Sequence, residues 1–306
     1  MKILYILIQT LFLIAIAPFL SGFIKKVKNN LRMRKGAPIL QPYFNLSKLF
    51  IKEEVVSQNA SWIFRATPYI VLGFVITAAI LLPVFHSSLT ANLIGDLFIV
   101  MFILAGAKFF LSLAGLDTAS AFGGMGSSRE VFISGLVEPV AILAIFAVSL
   151  NAKSTSPQVL SGVFCFKLSS LIAAIALFMV TIAETSRIPV DNQETHLELT
   201  MVHEAMVLEY SGRPLALIET ASHIKQIIFF TILANVVLPF GLPAVSNNIL
   251  PIAGLGIYAV KLLVIGVIVA LFEISMAKMR LFRVVDLLSF SFVLSIMSVI
   301  VSVMGL

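Results

Sequence analysis

This 306-residue chain has one cysteine, four histidines and a charged fraction of only 12%, where soluble domains carry about a quarter charged residues. With Cys165 alone, it closes no disulfide on itself. Nor does it supply the four thiolates that an iron–sulfur cluster usually takes. A haem held between membrane helices needs buried histidines. Here His86 and His223 fall at the ends of apolar runs, and His196 and His203 lie in a polar stretch, which excludes a cytochrome-like carrier. His196 and His203 are seven apart with Glu204 beside the second. No His-Glu-x-x-His or comparably compact metal motif is present, so they are read as hydrogen-bonded loop histidines. Gly123-Gly124-Met125-Gly126-Ser127-Ser128 lacks the following lysine and preceding strand of a phosphate loop. It is read as a flexible connection. The inverted internal repeats that mark many transporters are also missing.

What is abundant is apolar, at 59%. About 20 such residues span a hydrocarbon core roughly 30 Å thick. Eight runs qualify, over 3–24, 67–86, 92–114, 131–150, 164–184, 224–245, 253–275 and 286–305. The expected fold is therefore all-α, a single polytopic membrane domain over 1–306. Ala15-Ile16-Ala17 imitates a signal-peptide cleavage site, but the apolar run continues through Pro18, so the first segment is read as a retained span.

The net charge of +6 does not point to nucleic acid, because the basic residues gather between spans. The connections 25–66, 115–130, 185–225 and 276–285 carry sixteen Lys and Arg, whereas the other side has Lys2, Lys153 and Lys167. The positive-inside bias then places these four loops in the cytoplasm and both termini outside. The first loop, 25–66, holds an amphipathic stretch. Pro42 suits a helix start, and Tyr43, Leu46, Leu49 and Phe50 fall on one face with Asn45, Lys48 and Lys52 on the other. Such a helix lies in the lipid interface or lines a partner contact.

Two charges fall deep within spans. Lys108 and Glu138 sit at similar depth on consecutive segments, and Pro139 opens the helix wall beside the acid. A charge at mid-membrane costs about 2.5–3.5 kcal/mol and seeks a partner, so these two are expected to pair. Lys261 is also deep, while Glu273 is expected to snorkel or to face the loops and Asp96 the solvent. A loop over 185–223 concentrates acid. With Glu184 before it, the stretch to Glu219 adds Asp191, Glu194, Glu198, Glu204 and Glu209, seven of the chain's fifteen acidic residues. Glu194 and Glu198 repel at i,i+4, and crowding raises carboxylate pKa values toward neutrality. Asp191 is placed to cap a helix carrying those two glutamates. Glu209, beside Tyr210 and Ser211, is placed to relay protons through their hydroxyls.

Glu184-Thr-Ser-Arg187-Ile-Pro189-Val-Asp191, followed by Glu209-Tyr210-Ser211-Gly212, resembles the signature of the family containing subunit 1 of respiratory complex I. Leu40-Gln41-Pro42 with Lys48-Leu49 and Lys52-Glu53 is similar to that family's first-loop motif, with Asn45 where complex I members commonly have Asp. The likeness covers nearly the whole chain. Leu116-Asp117-Thr118, Ala121 to Glu130, and Thr195 to Met206 resemble the branch found in energy-converting nickel–iron hydrogenases, of the formate hydrogenlyase and hydrogenase-4 kind.

The resemblance implies a subunit that anchors a soluble redox module and joins it to ion-translocating membrane subunits. It implies an acidic path through Glu138, Glu184, Asp191, Glu198 and Glu209, to which Lys108 is added as the expected partner of Glu138. The charged loop residues Arg34, Lys48, Lys52, Glu53, Arg129, Glu130, Arg187 and Arg213 are the candidate docking contacts. No catalytic centre and no cofactor is expected on this chain. A nickel–iron centre and iron–sulfur clusters belong to its expected partners: hydrogenase large and small subunits, an iron–sulfur protein and antiporter-like membrane subunits. The expected location is a bacterial or archaeal cytoplasmic membrane. Two other readings remain, a quinone-binding subunit of a complex I-like NADH dehydrogenase and a free-standing ion transporter. The orientation is directly testable. A reporter active only outside the cytoplasm is expected to work when fused after Leu306 and to be silent near Asn45; the opposite pattern overturns the assignment.

Overall fold

The computed structural model describes residues 2–57, 60–82, 96–156, 167–191, 201–237, 251–277, 279 and 281–304. Among them there is no β-strand, and ten helices follow in order. They are α1 (Lys2–Leu31), α2 (Gln41–Ile51), α3 (Trp62–Leu81), α4 (Leu97–Asp117), α5 (Ala121–Ala152), α6 (Leu168–Glu184), α7 (His203–Val207), α8 (Gly212–Val237), α9 (Pro251–Ser275) and α10 (Leu281–Val303). Seven of these are long and apolar enough to cross a membrane: α1, α3, α4, α5, α8, α9 and α10. α6, 17 residues long, is a shorter apolar helix in the place of the expected fifth span. The all-α polytopic architecture is thus the one the composition demanded.

Several helices run past the apolar segments. α1 continues to Leu31, α5 starts at Ala121 instead of 131, and α8 starts at Gly212 instead of 224. Hydropathy registers where lipid is needed, whereas a helix ends where its backbone finds a cap. Ser120 provides one, its hydroxyl accepting from Gly123 N at the start of α5. The 123–128 glycine run is consequently helix and not a flexible loop. Its glycines serve close packing. A Cβ on Gly123 would stand 2.4 Å from the Gly115 carbonyl oxygen, and one on Gly126 would stand 2.8 Å from Ala205 Cβ. Small residues let backbones approach in this way inside membrane bundles.

α8 is the hub. It packs against α1, α2, α3, α6 and α9, while α5, α6 and α10 form a second mutually packed group joined to it through α6 and, by way of α4, through α3. Small polar residues seat α10: Ser298 donates to Ser169 O at 2.8 Å and Ser302 to Asn151 Oδ1 at 3.1 Å. Above the bundle, α2 lies against α1 and α8. It is amphipathic as expected, with Pro42 and Leu46 buried and Phe44, Asn45 and Lys48 exposed.

The glycine packing gives a prediction. Gly123→Ala is expected to lose about 1–3 kcal/mol to overpacking, read as a lowered Tm of the purified chain in detergent. Gly124→Ala, where an added Cβ meets nothing within 4 Å, is expected to leave Tm unchanged or slightly raised.

Candidate functional site

α6 ends in a Schellman motif. Ser186 N donates to Ala183 O and Arg187 N to Ile182 O, with Ser186 in the left-handed region at φ 50. Glu184 is therefore the last residue of the helix, and its carboxylate sits at the negative end of the helix dipole, an unfavourable place for an anion. Two lysines compensate. Lys108 Nζ on α4 donates to Glu184 Oε1 at 2.8 Å, and Lys225 Nζ on α8 lies 3.0 Å from Oε2. Lys108 also donates to Ser134 Oγ at 3.1 Å and lies 3.5 Å from Glu130 Oε1, both on α5. Four helices thus deliver two cations and two anions to one buried point.

The expected partner of Lys108 was Glu138, and the structure corrects this. Lys108 pairs with Glu184 and Glu130. Glu138 is half-buried one turn beyond Ser134, within electrostatic range of Lys108 but outside the ion-pair contacts. Equal depth on neighbouring spans fixed the layer, but the side-chain directions chose the partners. Glu130 was grouped with docking residues because it falls at a predicted span end; it is instead a buried member of the cluster. Its spacing to Ser134 and Glu138, i, i+4, i+8, is the sequence signal that put all three on one helix face.

A cavity of about 40 Å³ adjoins Lys108, Glu130, Glu184 and Lys225. One water needs roughly 10–15 Å³ on this measure, so the cluster can be hydrated. On its loop side lies a larger cavity of about 330 Å³ between α1, α2, α7 and α8, lined in part by Lys25, Asn45, Glu204, Glu219 and His223.

The turn after α6 is held from two sides. Arg187 Nη1 lies 2.5 Å from Glu273 Oε1, and Lys28 Nζ 3.3 Å from Glu273 Oε2. Glu273 is thus buried in a triad, correcting the expectation that it snorkels or faces the loops, and Arg187 is an internal contact instead of a docking one. The peptide bond preceding Pro189 is cis. Asp191, almost fully buried, accepts from Val202 N at 3.2 Å and His203 N at 3.1 Å. Its capping role is therefore toward α7. The expected helix with Glu194 and Glu198 lies at 192–200, outside the described residues, as does His196.

The Glu209-Tyr210-Ser211-Gly212 motif is structural in this chain. Tyr210 stacks on Phe64, ring centroids 3.9 Å apart, and its hydroxyl donates to Phe64 O at 2.9 Å. Burial holds this phenol above its ordinary pKa. Ser211 Oγ donates to Val55 O and accepts from Val55 N. Gly212, at φ +54, has the Glu53 carbonyl where a Cβ would go, 2.5 Å away. Both hydroxyls are thus spent on backbone groups, Tyr210's on α3 and Ser211's on the first loop, and Glu209 itself is exposed. The expected relay from Glu209 through Tyr210 and Ser211 is not formed. Among the docking candidates, Arg34, Lys48, Lys52, Glu53 and Arg213 are exposed, whereas Arg129 donates inward to Met201 O at 3.1 Å.

Removing one member of a buried ion pair costs about 3–5 kcal/mol because the other is stranded. Lys108→Met and Glu184→Gln are each expected to lower stability in detergent, with a double-mutant coupling of about 0.5–3 kcal/mol. The same cycle on Lys108 and Glu138 is expected to be close to additive.

A family model described as NADH dehydrogenase matches residues 2–303. Formate hydrogenlyase subunit 4 of Escherichia coli (strain K12) is 34% identical over 286 residues, covering 92% of this chain and 92% of that protein. Hydrogenase-4 component C of the same organism is 30% identical over 282 residues, covering 91% and 89%. A chain of the membrane-bound sulfane sulfur reductase, an archaeal respiratory membrane complex, shares the fold with a TM-score of 0.86 at 19% identity, over 98% of this chain and 99% of that one.

Proposed function

The chain belongs to the NADH dehydrogenase family, of the complex I subunit 1 type, and on that premise we propose that it anchors and couples a hydrogenase-type redox module in the membrane. At the coarser level it is a multi-pass membrane subunit of a complex I-like complex. The finer reading is that of an energy-converting assembly of the formate hydrogenlyase or hydrogenase-4 kind. In it a soluble nickel–iron and iron–sulfur module docks on the exposed charges of the first loop. Antiporter-like subunits continue the membrane arm. The inner membrane, with both termini outside, is the location that goes with it.

The observation that carries this reading is the 34% identity to formate hydrogenlyase subunit 4, sustained over 92% of both chains. The buried cluster of Lys108, Glu130, Glu184 and Lys225 supports the coupling half of it. Intramembrane ionisable groups that face protein and water are the usual components of ion paths. This chain then contributes ionisable side chains and a cavity large enough for water, and the electron chemistry stays on its partners.

A second reading, quinone binding, draws on the cavity of about 330 Å³, which falls in the ordinary range for ligand sites of roughly 300–1,000 Å³. Such sites are lined mainly by apolar side chains, while this one presents Lys25, Glu204, Glu219 and His223, a lining suited to water and charged groups.

Purification through a tag on this chain, followed by metal and flavin analysis, decides between them. The proposal expects stoichiometric nickel and iron. Co-purification with a flavoprotein dehydrogenase lacking nickel points to the quinone reading. Recovery of the chain alone from gently solubilised membranes points to a free-standing transporter and overturns both.

A further inference from the structure

The two cavities share a wall. His203, Ile218 and Ser222 line both the inner space beside the ion cluster and the larger outer space. Ile218 is fully buried and seals with hydrocarbon. Ser222 offers a hydroxyl. Of the three, only His203 carries an imidazole, whose two ring nitrogens let it take a proton on one side and give one up on the other.

Its backbone is fixed. His203 N donates to Asp191 Oδ2, so the turn after α6, which follows directly on Glu184, sets where α7 begins. Its imidazole makes no side-chain hydrogen bond among the described residues and is only half-buried. A ring held at its Cα, without a hydrogen bond at either nitrogen among the described residues and in contact with two cavities, is arranged to pass a proton between them.

We infer that His203 is the proton-transferring partition between the outer cavity and the buried cluster of Lys108, Glu130, Glu184 and Lys225. The step moves one proton and breaks no other bond. One ring nitrogen binds a proton from outer-cavity water or from Glu204 or Glu219. The opposite nitrogen releases its proton into the inner cavity, toward the carboxylate of Glu130 or Glu184. Neutral imidazole of the other tautomer remains, and rotation of the ring restores the start. The cluster has equal numbers of acids and lysines, so a proton reaching a carboxylate frees one lysine from its partner. That unpaired cation is the charge that can act further along the membrane arm.

The inference rests on the coupling function proposed above and is tested so that the two fail separately. The complex, purified through this chain, is reconstituted into liposomes, driven by a low-potential artificial donor (reduced methyl viologen), and followed for hydrogen release and for acidification together. His203→Gln is expected to assemble and turn over while acidification per turnover falls at least tenfold. His203→Ala is expected to behave alike and to regain acidification with added imidazole, which the cavity of about 330 Å³ admits; a purely structural histidine gives no such rescue. Ile218→Ser keeps the histidine but wets the seal, and is expected to raise the passive proton leak of undriven liposomes severalfold. This leak reads the partition even where a His203 variant does not assemble. His203→Gln that acidifies within twofold of wild type, or Ile218→Ser with an unchanged leak, overturns the partition and leaves the coupling function standing. A wild-type complex that turns over while moving sodium ions and no protons overturns the partition alone, and one that moves neither ion overturns both.

Discussion

The structure depends on keeping four charged side chains satisfied inside a bundle that is otherwise hydrocarbon. A lone charge near mid-membrane costs about 2.5–3.5 kcal/mol on insertion scales, and each additional unpaired one multiplies the problem. The chain meets this by converging four helices on Glu184. Lys108 comes from α4, Glu130 and Ser134 from α5, and Lys225 from α8, with every ion pair at 3.5 Å or less. None of these helices can move relative to the others without opening a contact. The cluster therefore serves as a staple for the fold and, through its adjoining water-sized cavity, as a place where a change of protonation has structural consequences.

A second level of organisation lies just outside the cluster. The turn 185–191 begins one residue after Glu184. It is clamped by Arg187 to Glu273 on α9, and by Asp191 to the start of α7. Glu273 also holds Lys28 on α1. Tyr210, Ser211 and Gly212 fasten α3 and the first loop to the head of α8. The exposed charges of that loop, Lys48, Lys52 and Glu53, are thereby connected to Lys225 through one continuous helix. Under the proposed function, a soluble partner resting on the first loop would bear on the same helix that carries Lys225, through a short chain of packed elements and polar contacts.

Family relationship and local geometry also separate what is shared from what is particular. The fold is held in common with a chain of a respiratory membrane complex that is 19% identical, so the bundle persists while most of its residues differ. Within this chain the Glu-Tyr-Ser-Gly stretch is structural. Its hydroxyls are committed to backbone groups and its glutamate is exposed.

The sequence by itself determined the class, the number of apolar segments and the family. Each depends on quantities that add along the chain: the length of hydrocarbon runs, the side on which basic residues fall, and motifs that keep their spacing. It also singled out Lys108 and Glu138, because a charge in an apolar run is conspicuous without any structure, while Glu184 stood out through the acidic stretch and the family resemblance. Only the tertiary structure decided who pairs with whom. Whether Lys108 meets Glu138 or Glu130 and Glu184 depends on helix rotation and on the direction of each side chain, which hydropathy does not contain. The same holds for Arg187, Glu273 and Lys28, which come from three separate parts of the chain. The glycine run at 123–128 looks like a loop because glycine is a poor helix former. It is the first turns of a helix capped by Ser120, and its glycines are there because Gly115 and Ala205 pack where side chains would clash.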